Sequence, residues 1–293
     1  MVDVVLDFVT LLELADIDPA ETLIVRHVPV EKSLKRVLPW LVVERPDLWL
    51  AYQRIQWESL EKAMTRGRTI ASFIGDTAGS AVFAGLYSIG AWEPLDAAGY
   101  DRFPGNRELM AFGMAGRTTE MPDCLAFELT PHSAYEHWVG HLTIDWPQPY
   151  QRWWRWAKRG HFAVRTIEPD SRFVPAVPDW REMVLSWHEL RNLPRAWQAA
   201  LSQWRGIYLI HDCERGASYV GSAGGSDNIH GRWCDYARSG HGGNRGLRNS
   251  RPEDLLFSIL ERTSPDLSTE AIVALEASWK RRLHTREFGL NRN

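Results

Sequence analysis

The sequence predicts an α+β chain of two domains: a larger, mixed α/β, strand-rich N-terminal domain, then a C-terminal domain in which a small antiparallel sheet is flanked by helices. Three observations lead there. The 293 residues exceed one ordinary domain of roughly 100 to 200 residues and fall short of three. An apolar fraction of 44% and a charged fraction of 24% match soluble globular proteins and supply material for two buried cores. Short strand-like runs punctuated by Gly, Pro, Asn and Asp crowd the middle of the chain, while helical spacing recurs on either side.

From Val2 to Leu14 the apolar spacing suits a short amphipathic helix; the Asp18-Pro19 turn signal and a strand over Thr22 to Val25 follow. Leu48, Tyr52, Ile55, Leu60 and Met64 recur at roughly helical spacing between Pro46 and Arg66, which predicts one or two helices. Between Thr69 and Asp145 the runs IASFIG, AVFAGLYSIG, CLAFEL and HWVGHLTIDW predict the strands of a curled sheet or small barrel. Pro169, Pro175 and Pro178 then break the chain, and residues 180–204 read as helical material interrupted at Pro194. The expected layout is an N-terminal domain over 1–175, a helical linker over 176–204 and a C-terminal domain over 205–293. That last segment orders itself as strand 206–211, polar turn, strand 218–221, helix 229–238, glycine-rich loop, strand 255–260 and helix 269–283.

A net charge of −3 and a pI near 6.4 argue against a protein that coats nucleic acid by charge alone, because displacing counterions needs a broad cationic surface. Any DNA enzyme here must concentrate its cations locally, and the C-terminal third is the more basic part of the chain. Cys124, Cys213 and Cys234 are too few and too scattered for a disulfide framework or a zinc site, and read as reduced thiols of a cytoplasmic protein. The N-terminus carries Asp3 and Asp7 without a basic region, and no apolar stretch approaches membrane-spanning length.

Gly206-Ile207-Tyr208 and Tyr219-Val220-Gly221 stand on the two strands of a predicted hairpin that would bring them side by side. An Arg-Trp pair follows at Arg232-Trp233, then His-Gly-Gly-Asn from His241 to Asn244, Phe257 to Glu261, Glu276 within a helix, and Asn291. Taken singly, the tyrosines suit core strand positions, Glu276 a solvated helix position, Arg232 an exposed helix arginine and His241 a loop. In this order and together they resemble the GIY-YIG nucleases, the homing-endonuclease branch in particular, over about ninety residues. Tyr236 departs from that branch, which carries histidine there.

Cutting a phosphodiester needs an activated water, neutralisation of charge growing on the non-bridging oxygens, and help for the leaving alkoxide. The resemblance implies a GIY-YIG fold and a phosphodiester hydrolase in which Glu276 holds a single Mg²⁺ or Mn²⁺ and Arg232 neutralises the phosphoryl group. Tyr219 would accept or orient the water's proton, with Tyr208 beside it; which tyrosine is the base stays open. His241 would donate a proton or bind phosphate, and Asn291 would be a positioning amide. DNA is the implied partner, and cutting both strands with one site would need a homodimer or two sequential events.

The stretch with FAGLYSIG and HWVGHLTIDW resembles PUA-like or EVE-like domains, which bind modified or flipped bases. Of fifteen tryptophans, five fall between Trp138 and Trp156. Trp153, Trp154 and Trp156 alternate with Arg155 and precede Lys158 and Arg159, a combination of stacking faces and cations that favours nucleic-acid contact; core or interface packing is the commoner reason for such a cluster. These features predict a restriction-like or defence nuclease whose N-terminal domain selects its DNA, modified DNA included. The alternatives are a structure-specific repair or recombination nuclease and a catalytically silent nucleic-acid-binding module.

Overall fold

The computed structural model describes residues 5–76, 79–174, 176–225 and 228–292; Val2, Asp3 and Val4 of the first predicted helix and the proline break at 175 lie outside them. The chain is α+β and divides into two compact units, Met1–Val174 and Pro175–Asn293. Among the described residues no helix is long and apolar enough to cross a membrane.

The first unit runs α1 (Phe8–Leu14), β1 (Thr22–His27), α2 (Lys32–Glu44), α3 (Pro46–Arg54), α4 (Glu58–Met64), β2 (Thr69–Gly75), β3 (Ser80–Leu95), α5 (Ala97–Arg102), α6 (Asn106–Ala111), β4 (Cys124–His132), β5 (Leu142–Asp145), β6 (Trp154–Trp156) and β7 (Val164–Ile167). Its sheet has seven strands in the order β6-β1-β2-β3-β5-β7, with β4 also paired to β3. β1 and β2 are parallel, which requires a crossover, and α2 to α4 supply it. The other pairings are antiparallel.

β3 holds this sheet together because it is long enough to use different partners in succession. Its first residues pair with β5 and its later ones with β4, and bulges interrupt its ladders to β2 and β4. The strand order gives an open sheet rather than the small barrel that the sequence also allowed. Phe8, Phe73, Phe83, Leu142, Ile144, Trp146 and Phe162 form its core; Phe8 meets Phe73 edge-on at 5.0 Å. At the start of the expected strand HWVGHLTIDW, a 3₁₀ turn over Glu136–Trp138 takes in its first two residues, and within it only Leu142–Asp145 are strand.

The second unit begins with β8 (Val184–Ser186), α7 (Trp187–Arg191) and α8 (Arg195–Gln203), then β9 (Arg205–Asp212), β10 (Ala217–Ala223), α9 (Asn228–Ser239), β11 (Leu255–Thr263) and α10 (Thr269–Arg282). The segment expected as a helical linker is therefore part of this fold. β8 pairs antiparallel with β11 through Val184, Leu185 and Ser186 and closes one side of a four-stranded sheet ordered β10-β9-β11-β8. Ser186 and Glu189 start α7 with a reciprocal capping box, and Pro194 sits at the N-cap of α8, where its missing N–H removes no helical bond.

Alternation along β9 and β10 sends residues to two layers. Ile207 and Val220 pack under α10 with Ile272 and its neighbours. Tyr208 instead meets Trp233 of α9 edge-on at 6.4 Å, and Trp233 meets Phe257 of β11 at 5.7 Å. Ile229, Trp233 and Tyr236 are the buried side chains of α9, at i, i+4 and i+7, which is the spacing that presents one stripe to a sheet.

Candidate active site

The hairpin places the two tripeptides as their spacing suggests. β9 and β10 pair with Tyr208 opposite Gly221 and Tyr219 opposite Ile210, so both tyrosines face α9. Gly221 is needed for contact reasons: a Cβ there would run into the Tyr208 phenol. In the loop after α9, Gly242 has φ +52° and a Cβ would come within 2.7 Å of the Tyr236 ring, so the glycine lets the loop close over that ring.

Three phenols and one amide form a connected network. The Tyr208 hydroxyl lies 3.1 Å from that of Tyr236. Asn244 donates to the Tyr236 hydroxyl at 2.5 Å and accepts from the Tyr219 hydroxyl at 3.0 Å. Arg232 sits one helical turn before Tyr236, and its guanidinium carbon lies 5.9 Å from the centre of that ring.

The environment favours neutral phenols. Burial pushes Tyr208 up to about 12 and raises Tyr219 and Tyr236 as well. Arg232 is raised above the ordinary arginine range, chiefly by the Tyr208 phenol, so it is a permanent cation within this cluster.

Glu276 reaches the site from the other layer. Ser222, on β10, donates to Glu276 Oε2, and Lys280 Nζ lies 2.7 Å from Oε1. The Glu276 charge is among the influences that raise Tyr219, which puts the carboxylate within electrostatic reach of that phenol. Asn291 is buried and spends its amide on one residue: Oδ1 accepts from Val220 N–H at 3.0 Å and Nδ2 donates to Val220 carbonyl at 2.9 Å. It therefore positions β10 next to Tyr219 and does not face the phenols.

His241 stands apart. Its Nδ1 accepts the Gly243 N–H at 2.9 Å, a local bond that shapes the loop carrying Asn244. Asn244, Tyr236, Ser222 and Lys280 join the site in the structure without having been singled out as site residues in the sequence. Asn244 ends the His-Gly-Gly-Asn run, and Lys280 follows Glu276 at the i,i+4 spacing of a helical pair; both signals were readable.

The candidate DNA contacts of the first unit separate. β6 is the outermost strand beside β1, with Trp154, Arg155 and Trp156 opposite Val25, Ile24 and Leu23. Trp154 donates to Ser59 Oγ at 3.2 Å. Arg155 caps the carbonyls of Pro147 and Pro149 at 3.0 and 3.1 Å, so it braces a turn rather than standing ready for phosphate. Lys158 and Arg159 are exposed.

Trp153 alone of this set lines a cavity of about 450 Å³ together with Arg26, His27, Tyr52, Trp57 and Tyr100, among others. His27 meets Trp49 and Tyr52 edge-on at 5.1 and 5.3 Å. Its Nε2 is buried with no hydrogen-bond partner among the described residues, and burial pushes the imidazole down to about 3, leaving it neutral. This aromatic cavity is the site that the tryptophan count alone did not locate.

No family's sequence pattern matches the chain, and no curated protein matches it. Among solved structures, the chain is similar to a mutant of the catalytic domain of intron endonuclease I-TevI at 25% identity, covering 30% of this chain and 93% of that one with a TM-score of 0.26.

Proposed function

We propose that the second unit is a restriction-like endonuclease that hydrolyses phosphodiester bonds in DNA with one divalent cation, Mg²⁺ or Mn²⁺, and that the first unit selects the DNA. The observation that carries this reading is the convergence of Tyr208, Tyr219, Tyr236 and Arg232 into one hydrogen-bonded and cationic cluster within electrostatic reach of Glu276. Arg232 neutralises charge on the non-bridging oxygens as the phosphorane-like transition state forms. Tyr219, the more peripheral of the paired tyrosines, receives or orients the proton of the attacking water, and Asn244 fixes the direction of its hydroxyl.

Glu276 is the residue that would hold the cation, which when bound would act as a Lewis acid on the phosphate and lower the pKa of its water. One carboxylate suits Mg²⁺, which keeps much of its hydration and takes one or two protein carboxylates. Among the described residues there is no group of three or more His, Cys, Asp or Glu able to cage an ion. The test is cleavage of supercoiled plasmid and phage DNA with Mg²⁺ or Mn²⁺ by wild type and Glu276→Gln. Gln keeps the shape facing Ser222 and Lys280 and an acceptor for the ammonium, but like Ala it removes the counter-charge of a buried lysine, a loss that costs roughly 3–5 kcal/mol, so the melting temperature of the variant is measured beside its activity. Cleavage is expected to fall about 100-fold or more in the variant; equal cutting by both proteins removes Glu276 from the reaction.

The cavity of the first unit supports selection through an extruded base, modified bases included. Its volume of about 450 Å³ lies in the range of small-molecule sites, its walls offer ring faces in Tyr52 and Trp153, and His27 adds a neutral hydrogen-bonding edge. Base stacking on an aromatic ring contributes roughly 1–3 kcal/mol. Tyr52→Ala and Trp153→Ala are therefore each expected to reduce the ratio of cleavage on preferred over non-preferred phage DNA by about 5- to 100-fold. An unchanged ratio in both variants would mean that selection happens elsewhere.

A further inference from the structure

Lys280 is the least expected side chain in the second unit. It is 4% exposed, although lysine is almost never fully buried unless paired, and its neighbours Arg281 and Arg282 both face solvent. Its ammonium lies 2.7 Å from Glu276 Oε1, with side-chain exposures of 5% and 16% for the two partners. Ser222 occupies the other carboxylate oxygen. Both oxygens of the only carboxylate assigned to a cation are thus engaged by the protein itself.

Burying an ammonium costs several kcal/mol of hydration, which a close carboxylate only partly offsets. An apolar residue at 280 would fill the same space under β10 without that penalty. What the ammonium adds at Glu276 is a positive charge beside Oε1. We propose that Lys280 is a positioning residue that serves as resident counter-ion to Glu276: it holds the carboxylate in place while no divalent cation is present and must yield Oε1 when one binds. This rests on the reading of Glu276 as the cation's ligand.

Two consequences follow from charge alone. The metal competes with a covalently tethered cation, so its affinity for the protein without DNA is lowered. The ammonium, tethered beside Glu276, would also repel a cation held by that carboxylate. A DNA phosphate arriving beside Arg232 brings negative charge that offsets this repulsion, so cation and DNA assist each other in binding.

The experiment titrates MnCl₂ into the full chain without DNA, by calorimetry and by the rise in melting temperature, for wild type, Lys280→Met, Lys280→Gln, Glu276→Gln and the Lys280→Met/Glu276→Gln double variant. Met keeps the length of the side chain; Gln is the second variant should Met lower stability too far. Removing the ammonium is expected to tighten Mn²⁺ binding about tenfold or more and to enlarge the Mn²⁺-induced rise in melting temperature. The gain must vanish in the double variant. Affinity equal to or weaker than wild type in both Lys280 variants overturns the proposal, as does a gain that survives loss of Glu276. If wild type shows Glu276-dependent binding that Lys280→Met leaves unchanged, only the role of Lys280 falls; if Glu276→Gln changes nothing in any background, the cation reading falls with it.

Discussion

Arg232→Ala is expected to slow single-turnover DNA cleavage by roughly 100- to 1,000-fold, the loss typical when one group stabilising transition-state charge is removed. The melting temperature should change little, because Arg232 is half-buried on the rim of α9 and the stripe that anchors the helix is Ile229, Trp233 and Tyr236. In the phenol network Tyr208, Tyr219 and Tyr236 are neutral at physiological pH, since burial raises all three, so the guanidinium is the charge that network offers to a phosphate.

Arg232→Lys should recover only part of the lost rate. An ammonium retains the charge but cannot present two parallel N–H donors to a pair of phosphate oxygens, and it is more strongly hydrated. Measuring Ala and Lys side by side thus separates charge from geometry. Wild-type rates in Arg232→Ala would mean that the phosphoryl group is neutralised elsewhere, and the clustering around Tyr236 would then be a packing arrangement.

Much of the second unit was legible because its local signals agree with its tertiary role. The alternation in Gly206-Ile207-Tyr208 and Tyr219-Val220-Gly221 is the alternation of a hairpin with a different layer on each face, and that pattern survives in the pairing of Tyr208 with Gly221. The stripe of α9 and the extent of α10 follow from helical periodicity in the same way. β8 was not legible: Val184, Leu185 and Ser186 make too short a run to signal a strand, and they are extended because β11 offers a free side to pair with.

In the first unit, α2 escaped for a local reason. Pro39 interrupts a sequence that otherwise buries Leu34, Val37, Leu38, Trp40 and Leu41, and here burial outweighs the lost helical bond. The tryptophan-rich stretch offered two readings, packing and nucleic-acid contact, and spacing alone does not choose between them. The carbonyls of Pro147 and Pro149 engage the Arg155 side chain, whereas Lys158 and Arg159 are exposed and Trp153 lines the cavity. Glu276 taken alone suits a solvated helix position, and only the tertiary structure reveals that it is paired with a buried lysine, Lys280.

Tyr219→Phe should lower cleavage by roughly 100- to 10,000-fold, the range for losing a proton-transfer group, whereas Tyr208→Phe should lower it less than about tenfold. The two hydroxyls differ in what they are tied to. Tyr208 is fully enclosed, with its hydroxyl 3.1 Å from that of Tyr236 and within reach of Arg232, so removing it leaves Tyr236 still bonded to Asn244 and the guanidinium still charged. Tyr219 is 5% exposed, lies within the influence of Glu276, and is held by Asn244 at 3.0 Å. The pH profile distinguishes a proton acceptor from a mere orienting group. Burial raises Tyr219 above its ordinary value of 10.0, so the phenolate is a minor form that grows about tenfold per pH unit below that pKa. Wild-type cleavage should climb with pH at that slope, and Tyr219→Phe should flatten it. The profile must be read below about pH 9. A phenol whose folded pKa is raised contributes its full stability below the unfolded value, and that contribution drains away as pH rises toward about 12, the value for Tyr208. A slope that persists unchanged in Tyr219→Phe assigns the titrating group to the attacking water or to Tyr208, and the Tyr208→Phe profile then decides between them.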